Sequence, residues 1–529
     1  MRALVALLGL LAITWLEFQV YPGHSYLKGD TQCYVPMLER LDAPGFLSRD
    51  LVATNPTFVY TIYDEVTLAL HQYGGQPFQR ALEAQQLLFR FAAVLGIYLL
   101  VRSAGVGLFA ALLLSAFANA ISLLIAPGVF LTNPEPVPGA FAMDLVLLAV
   151  GCLTHEKPLL GGLAGGIALI YDPLIGGAFW LVLLTAMILD RQTRWLFRAA
   201  LPSLLIFGLL LANLSQLQPG LGNVKSISSR FTPALADLSR MRTPNLWPSL
   251  WVGHEIWSYL FLFIAMLWAA ARIWRCLNRQ TRWLCLGLAS LGLVSIPLAA
   301  SLLAFSVVMA SVTCGIAAWR AMCEWRYKES AAWSLLVLCI TLNPQILNLP
   351  RVPLLDTAPI SEPVRQLAQW AERDTWGSSM FLFPDAGRSS TPSIFRALSR
   401  RALWADWQSE VLVNYSDEAG REWWKRWQMT MQQPYSAKRV EDFLSLPIDY
   451  YVVEPKHKFK GVRAAFENKS FAVYDAQDLR NATGPLESAH ANHARLNETL
   501  ARGLYTPDGS GFVEDSSRGV QSSTIDRSK

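Results

Sequence analysis

About eleven apolar stretches divide this sequence, and short clusters of Lys and Arg lie between many of them. Hydrophobic residues make up 53% of the 529 positions and charged residues only 16%. Because soluble domains carry about 25% charged residues, the composition predicts a polytopic α-helical membrane protein with about 11 transmembrane helices. Windows of about 20 residues place the spans at 3–19, 88–104, 107–127, 139–154, 158–171, 174–190, 197–216, 255–272, 283–300, 302–319 and 331–349.

The basic clusters predict which ends of the spans face the cytoplasm. The stretch 158–189 has Lys157 before it and Arg191 after it. If both flanks are cytoplasmic, the stretch crosses twice and turns at 171–173. The same argument predicts two crossings between 283 and 319, with a turn near Pro297. With a cytoplasmic N-terminus and an uncleaved first helix, the extracytoplasmic segments are 20–87 (the first loop), 128–138, 217–254 and everything after about 350.

The sequence therefore predicts three parts. Residues 1–350 form the transmembrane domain, including the outer loops 20–87 and 217–254, and residues 351–476 form an extracytoplasmic α/β domain, the tail domain. Its alternating patterns predict helices at 363–372, 417–427 and 440–446 and strands at 380–383, 403–407, 448–453 and 470–474. Residues 477–529 are polar and rich in Ser, Asn, Asp and Arg, which predicts a disordered tail.

Charge and cysteine content exclude some classes of function. The formal net charge is only +5, and the basic residues flank spans instead of forming one footprint, so no nucleic-acid partner is expected. The seven cysteines include no CxxC pair, which leaves no disulfide framework or cysteine metal site to predict.

The acids of the first loop are the first candidates for chemistry. Asp30 follows the first span closely enough for a lipid-borne substrate to reach it, and an ionised carboxylate there can act as a general base. Asp50 is the second candidate for that base. The structural alternative is that Asp30 caps a helix starting near Thr31 and that Asp50 caps or begins a loop element.

Glu135 lies in a proline-rich turn, between Pro134 and Pro136, on the predicted outer side. A rigid turn holding a carboxylate near the membrane surface can supply a second catalytic group, or a ligand for a possible divalent cation. A solvated Glu in a plain turn is the alternative. Asp144 within a span and Asp172 at the 171–173 turn are predicted to line one polar cavity that binds substrate, and helix-packing hydrogen bonds would explain them equally well.

The 217–254 segment is unexpectedly basic for an outer loop. Lys225, Arg230, Arg240 and Arg242 lie in it, and guanidinium groups match phosphate oxygens, so the segment is a candidate for binding a phosphate or diphosphate leaving group. The alternative is a long solvated loop, to which the excess of Lys and Arg in short cytoplasmic loops does not apply. In the tail domain, Arg396, Arg400 and Arg401 near Trp404 and Trp407 are read as surface arginines on a Trp-rich core, in preference to a carbohydrate-facing platform.

Four motifs and the order of the segments resemble the C-type glycosyltransferase superfamily of membrane enzymes. The motifs are 28–36 (KGDTQCYVP), 133–136 (NPEP), 395–401 (FRALSRR) and 422–427 (EWWKRW). The resemblance implies transfer of a sugar from a polyprenyl-phosphate carrier to a lipid or glycan acceptor on the extracytoplasmic face of a bacterial inner membrane, with inversion at the anomeric carbon. It also implies a first-loop Asp as the base, which maps to Asp30. The adjacent acids Asp64 and Glu65 lie far from the first span, unlike the paired acids of some branches, which leaves metal dependence open.

Two other classes of function stay open on the sequence. A transporter or flippase of a lipid-linked or small polar substrate would often show internal repeats, and no two-half repeat is visible here. A non-catalytic envelope assembly protein would use the tail domain to bind its partner.

Overall fold

The computed structural model describes residues 1–19, 22–57, 61–125, 133–190, 197–214, 277–294, 303–323, 360–414 and 416–483, with single residues at 264, 268 and 271. The predicted spans 255–272 and 331–349, apart from those single residues, and the 217–254 loop lie outside the described residues.

Most of the predicted spans within the described ranges are helices close to the expected bounds. The helices of this part are α1 (Arg2–Gln19), α2 (Thr31–Asp42), α3 (Tyr63–Gln72), α4 (Phe78–Ser103), α5 (Leu108–Ile125), α6 (Pro138–Thr154), α7 (Pro158–Tyr171), α8 (Pro173–Leu189), α9 (Ala200–Leu214), α10 (Arg279–Val294) and α11 (Leu303–Cys323).

Length and composition identify two described helices, α1 and α4, as able to cross a membrane. Shorter apolar helices accompany them, including α6, α7 and α8. The class of fold is thus mostly helical with membrane-type segments, and the count of about eleven spans stays a prediction.

Close packing of small residues joins the central helices. Gly96 of α4 lies against the backbone at Leu147 and Gly151 of α6, so closely that a Cβ on Gly96 would overlap the Leu147 carbonyl. Gly176 of α8 is packed in the same way against Leu169 of α7. Small residues serve this purpose between membrane helices, where backbone approach provides much of the attraction.

The 158–189 stretch forms the predicted hairpin, with Asp172 between α7 and α8. The turn lies beside the first loop, because the Ile62 amide donates to the Ile170 carbonyl at 3.1 Å. Basic residues gather at the opposite ends of the helices. There Arg320 donates to the Ala104 carbonyl at 2.9 Å, and Asn278, just before α10, donates to the Thr154 carbonyl at 3.1 Å.

The first loop is folded and shorter than predicted. It contains α2 and α3, and α4 begins at Phe78 rather than at residue 88. The first turns of α4 carry the polar residues Gln79, Arg80 and Glu83. A hydropathy window therefore starts the span at residue 88 instead of at Phe78.

The tail domain is a five-stranded sheet with helices packed on it. Strand order is β2–β1–β3–β5–β4, with β1 parallel to β2 and β3, and β5 antiparallel to β3 and β4. Its elements are α12 (Glu362–Asp374), β1 (Met380–Leu382), α13 (Thr391–Ser399), β2 (Ala402–Leu403), a 3₁₀ helix (Gln408–Asn414), α14 (Asp417–Thr430), α15 (Ala437–Phe443), β3 (Tyr450–Val453), β4 (Phe466–Glu467), β5 (Ala472–Asp475) and α16 (Ala476–Thr483).

Each tail-domain helix and strand predicted from the sequence overlaps an observed one. The additional elements are α13, β4, α16 and the 3₁₀ helices Gln408–Asn414 and Pro455–His457. Helix α16 carries regular structure past the predicted boundary at 476, because it packs on β5 and buries Leu479. Residues from 484 onward lie outside the described residues.

The tail domain is docked on the first loop. Arg49 binds Asp449 at 2.7 Å, the Asp50 carboxylate accepts the Leu403 amide at 2.9 Å, and Ser393 donates to Gln32 at 2.6 Å. Because the two segments touch directly, they must lie on the same side of any membrane that the helices cross.

Candidate functional site

Asp30 lies in a tightly folded turn, residues 27–31, that leads into α2 (the Asp30 turn). Leu27 has a left-handed backbone, with φ of 59°, which is uncommon for a residue other than glycine. Its amide donates to the Thr31 hydroxyl at 3.1 Å, and the Gln32 side chain donates to the carbonyls of Leu27 at 2.7 Å and Lys28 at 3.0 Å. Strained backbone held by such bonds is typical of functional turns.

The Asp30 side chain does not cap α2, although Asp30 occupies the N-cap position. The geometry therefore does not show the helix cap that the structural alternative expected of the Asp30 side chain.

Glu135 comes against the same turn from a segment 104 residues further along the chain. The Thr31 amide donates to the Glu135 Oε2 at 3.4 Å, and the carboxylate lies directly over Gly29, where a Cβ would overlap it. The structure thus brings the Asp30 turn and Glu135 together, so that two of the three acids predicted as catalytic are neighbours. A carboxylate at the first turn of α2 is also stabilised by the positive end of the helix dipole.

The pKa of Glu135 is raised to about 7, chiefly because burial disfavours the charged form and secondly because of the Asp30 charge. Hydrogen bonds from the Thr31 and Asp30 amides and the charge of Lys28 act in the opposite direction. Glu135 is therefore poised to gain or lose a proton near neutral pH, which is a property of catalytic carboxyl groups.

The turn that carries Glu135 is anchored on several sides. The Ser25 amide donates to the Pro134 carbonyl at 2.9 Å, Gln86 donates to the same carbonyl at 2.6 Å, and the Tyr63 hydroxyl donates to the Pro136 carbonyl at 2.9 Å. These bonds fix the turn against the first loop and α4. The Glu135 side chain thus has a defined position, unlike the solvated Glu of the alternative reading.

Asp144 lies behind this turn and is nearly fully buried in α6. Its electrostatic partner is Arg90 of α4, which donates to the carbonyls of Glu17 at 2.9 Å, Gly23 at 2.8 Å and Asn133 at 3.1 Å. Arg90 therefore ties the end of α1 to the segment before Glu135. This residue was missed in the sequence reasoning, although an Arg inside a predicted span was a visible signal.

Asp172 has a structural position. Its carboxylate accepts the amides of Leu174 at 2.8 Å and Ile175 at 3.1 Å and so caps α8, and it lies beside Gly139 at the start of α6. Asp144 faces Arg90 about 8 Å further along α6. Helix-capping hydrogen bonds account for the position of Asp172, and a cavity shared with Asp144 stays a prediction.

Asp50 lies in the contact between the first loop and the tail domain. Its Oδ1 accepts the amides of Val52 and Ala53, each at 3.0 Å, its Oδ2 accepts the Leu403 amide, and Arg396 lies 3.6 Å away. The residue is fully buried. A carboxylate so occupied is a structural anchor, which argues against its prediction as a base.

The paired acids Asp64 and Glu65 begin α3, next to Tyr63. The pKa of Asp64 is raised to about 8, first by burial and then by the hydrogen bond and charge of Glu65. The pKa of Tyr63 is raised by burial and, after that, by neighbours that include Glu135 and Asp64. Tyr63 therefore stands between the Glu135 turn and the acidic pair.

The remaining predicted site residues are cations. Lys225, Arg230, Arg240 and Arg242 lie outside the described residues. Within the described ranges, no group of three or more His, Cys, Asp or Glu side chains is arranged to hold a metal ion.

The prediction of surface arginines in the tail domain is wrong for two of the three. Arg396 is 1% exposed and Arg401 is 2% exposed. Arg396 pairs with Asp406 at 3.1 Å, and Arg401 donates to the carbonyls of Glu372 at 2.7 Å and Thr375 at 2.9 Å. Hydrogen-bonding partners outside the local segment allow these charges to be buried, which the local pattern did not reveal.

Comparison with known proteins gave matches among solved structures. No family model matches the chain, and no curated protein matches it. The crystal structure of ArnT from Cupriavidus metallidurans bound to undecaprenyl phosphate is 11% identical, with a TM-score of 0.39 and coverage of 90% of this chain and 97% of that one. The apo structure of the same protein is 12% identical, with a TM-score of 0.38 and the same coverage.

Proposed function

We propose that the chain is a membrane glycosyltransferase that moves a sugar from a polyprenyl-phosphate carrier to an acceptor on the extracytoplasmic face. The observation that carries this proposal is the meeting of Asp30 and Glu135 at one strained, well-anchored turn. The turn follows α1 by about ten residues, within reach of a lipid-borne substrate. The inner membrane of a bacterium, with a cytoplasmic N-terminus, is the proposed location.

In the proposed reaction, Asp30 accepts the proton of an acceptor hydroxyl. The acceptor oxygen then attacks the anomeric carbon of the sugar, and the bond from that carbon to the phosphate oxygen breaks. Polyprenyl phosphate leaves, and the configuration at the anomeric carbon inverts. Attack and proton removal at the same turn lower the barrier because the base is already in position.

Glu135 has the proposed role of orienting the sugar. Its position over Gly29 places it next to Asp30, and its pKa of about 7 lets it donate or accept a hydrogen bond near neutral pH. Arg230 and Arg240, with Lys225, have the proposed role of stabilising the leaving phosphate, as guanidinium groups do elsewhere.

Sugar transfer in proteoliposomes that contain a radiolabelled polyprenyl-phosphate sugar tests the proposal. Asp30→Asn should reduce kcat by about 100-fold or more, since general-base catalysis contributes 10²–10⁴. The matched control is Asp42→Asn, an acid at the far end of α2 that binds Gln72 at 3.0 Å. Equal transfer by wild type and Asp30→Asn would reject the assignment of the base.

The same vesicles discriminate the transporter alternative. Movement of the labelled lipid between leaflets, with no covalent transfer, would identify a flippase. Loss of both activities, together with a partner that binds the tail domain, would identify an assembly protein.

A further inference from the structure

The side chain of Gln32 connects the Asp30 turn to the tail domain. Its amide nitrogen holds the carbonyls of Leu27 and Lys28, and its amide oxygen accepts the Ser393 hydroxyl at 2.6 Å. Both Gln32 and Ser393 are fully buried. The Gln32 side chain thus links the first loop to a tail-domain residue 361 positions further along the chain.

A second contact holds the same residue from the tail domain. Arg396, one turn after Ser393 on α13, donates to the Gln32 carbonyl at 3.3 Å. The guanidinium is itself fixed by Asp406 at 3.1 Å and by Ser409 at 3.1 Å. The first turn of α2 is therefore seated on α13 through both its backbone and its side chain.

A third contact lies beside the first two. The Cys33 thiol donates to the Gln408 carbonyl at 3.3 Å, in the 3₁₀ helix that follows β2. Gln32, Cys33, Ser393 and Arg396 are buried, so water competes little for their hydrogen bonds. Three successive anchor points thus hold the residues immediately after Asp30.

We propose that the tail domain positions the catalytic base, with Gln32 and Ser393 as positioning residues that set the conformation of the Asp30 turn. This inference rests on the proposed function, because it assigns the tail domain a part in the same reaction. The left-handed Leu27 makes the turn dependent on such support, because a strained backbone persists only where surrounding contacts determine it.

Two variants test the contact from its two sides. Ser393→Ala removes the donor to Gln32, and Gln32→Leu removes the side-chain bonds on the loop side. The matched control is Ser445→Ala, which changes an exposed serine of the tail domain. All variants are compared in the full-length protein.

The first readout is the sugar-transfer assay. Each variant should lower kcat about tenfold with little change in KM for the lipid donor, because a displaced base affects reaction more than binding. The double variant should be no slower than the slower single variant, because both substitutions break one contact. Unchanged kcat in both single variants would overturn the proposal, as would additive losses.

The second readout is hydrogen exchange of backbone amides. Exchange in residues 27–34 should become faster in both variants, while exchange in β1 and β3 stays at the wild-type rate. Faster exchange throughout the tail domain in both variants would mean general unfolding and would overturn the proposal. If the wild type transfers no sugar, the proposed function fails, whereas local exchange in residues 27–34 still decides whether the tail domain sets this turn.

Discussion

Gly29 allows the Asp30 turn and the Glu135 carboxylate to approach each other, because a side chain at this position would separate them. Gly29→Ala should therefore displace Glu135 and lower the rate of sugar transfer about 100-fold while the protein remains folded. The matched control is Gly45→Ala in the same loop, where a Cβ would meet open space. Equal losses in the two variants would show that the effect is not specific to the site.

Glu135 gives a prediction for the pH profile. Its pKa of about 7 means that it carries a proton below neutral pH and is ionised above it. If the carboxylate orients the sugar, kcat/KM should rise from pH 6 to pH 8 with an inflection near 7. Glu135→Gln should lose this inflection, and Asp374→Asn, an exposed acid of the tail domain, should keep it.

Residue patterns in the sequence identified part of this site. Asp30 and Glu135 could be recognised from the sequence because each lies in a short, distinctive motif close to the end of a span. Gln32 was not assigned a role, and Arg396 was predicted to lie on the surface, because each contacts a residue far away in the sequence: Ser393 for Gln32 and Asp50 for Arg396. The contact of Asp50 with the tail domain was not predicted for the same reason, since its partner Leu403 is 353 positions distant.

At the level of secondary structure, the cap of α8 gives a stability prediction. Asp172 accepts two amides at the start of this helix, so Asp172→Ala should lower stability by about 1 kcal/mol. Asp172→Asn keeps a capping oxygen and should retain most of that stability. The thermal midpoint in detergent measures both variants. A strong loss of sugar transfer in Asp172→Asn, at normal stability, would instead support the predicted role in substrate binding.

The sequence predicted the ends of helices correctly where hydrophobicity changes sharply along the chain. The α7–α8 hairpin was predictable because basic residues flank it and Pro173 starts its second helix. The start of α4 was not, because its polar first turns resemble a loop in composition. Helix α13 was also missed: it is only 9 residues long, and its buried face includes the charged Arg396.

For the whole molecule, the buried charges between the first loop and the tail domain predict a large loss of stability when Arg396 is replaced. Arg396 lies between Asp50 and Asp406, at 3.6 and 3.1 Å. Arg396→Met would leave two buried carboxylates without their cation, which costs about 3–5 kcal/mol. A lower thermal midpoint and faster trypsin cleavage of the tail domain are expected. Arg373→Met, at an exposed pair with Asp374, should change neither measurement.

Sidedness gives a second prediction for the whole molecule. Cysteine introduced at Gly45 and at Lys425 should react with a membrane-impermeant thiol reagent added from the extracytoplasmic side, because the first loop and the tail domain are in contact. Cysteine at Lys157, at the opposite end of the helices, should react only from the cytoplasmic side. The unmodified chain provides the blank. Labelling of positions 45 and 425 from opposite sides would contradict the docked arrangement.

The long separation between Gln32 and Ser393 also has a consequence for biosynthesis. A ribosome makes the Asp30 turn early, but its support on α13 emerges 361 residues later. Until that late segment has been exported and folded, the Asp30 turn of a nascent chain already inserted in the bilayer would lack the contact with Ser393 that fixes its conformation. Premature termination before residue 393 would therefore leave an inserted but inactive protein, so the cell would gain activity only from complete copies.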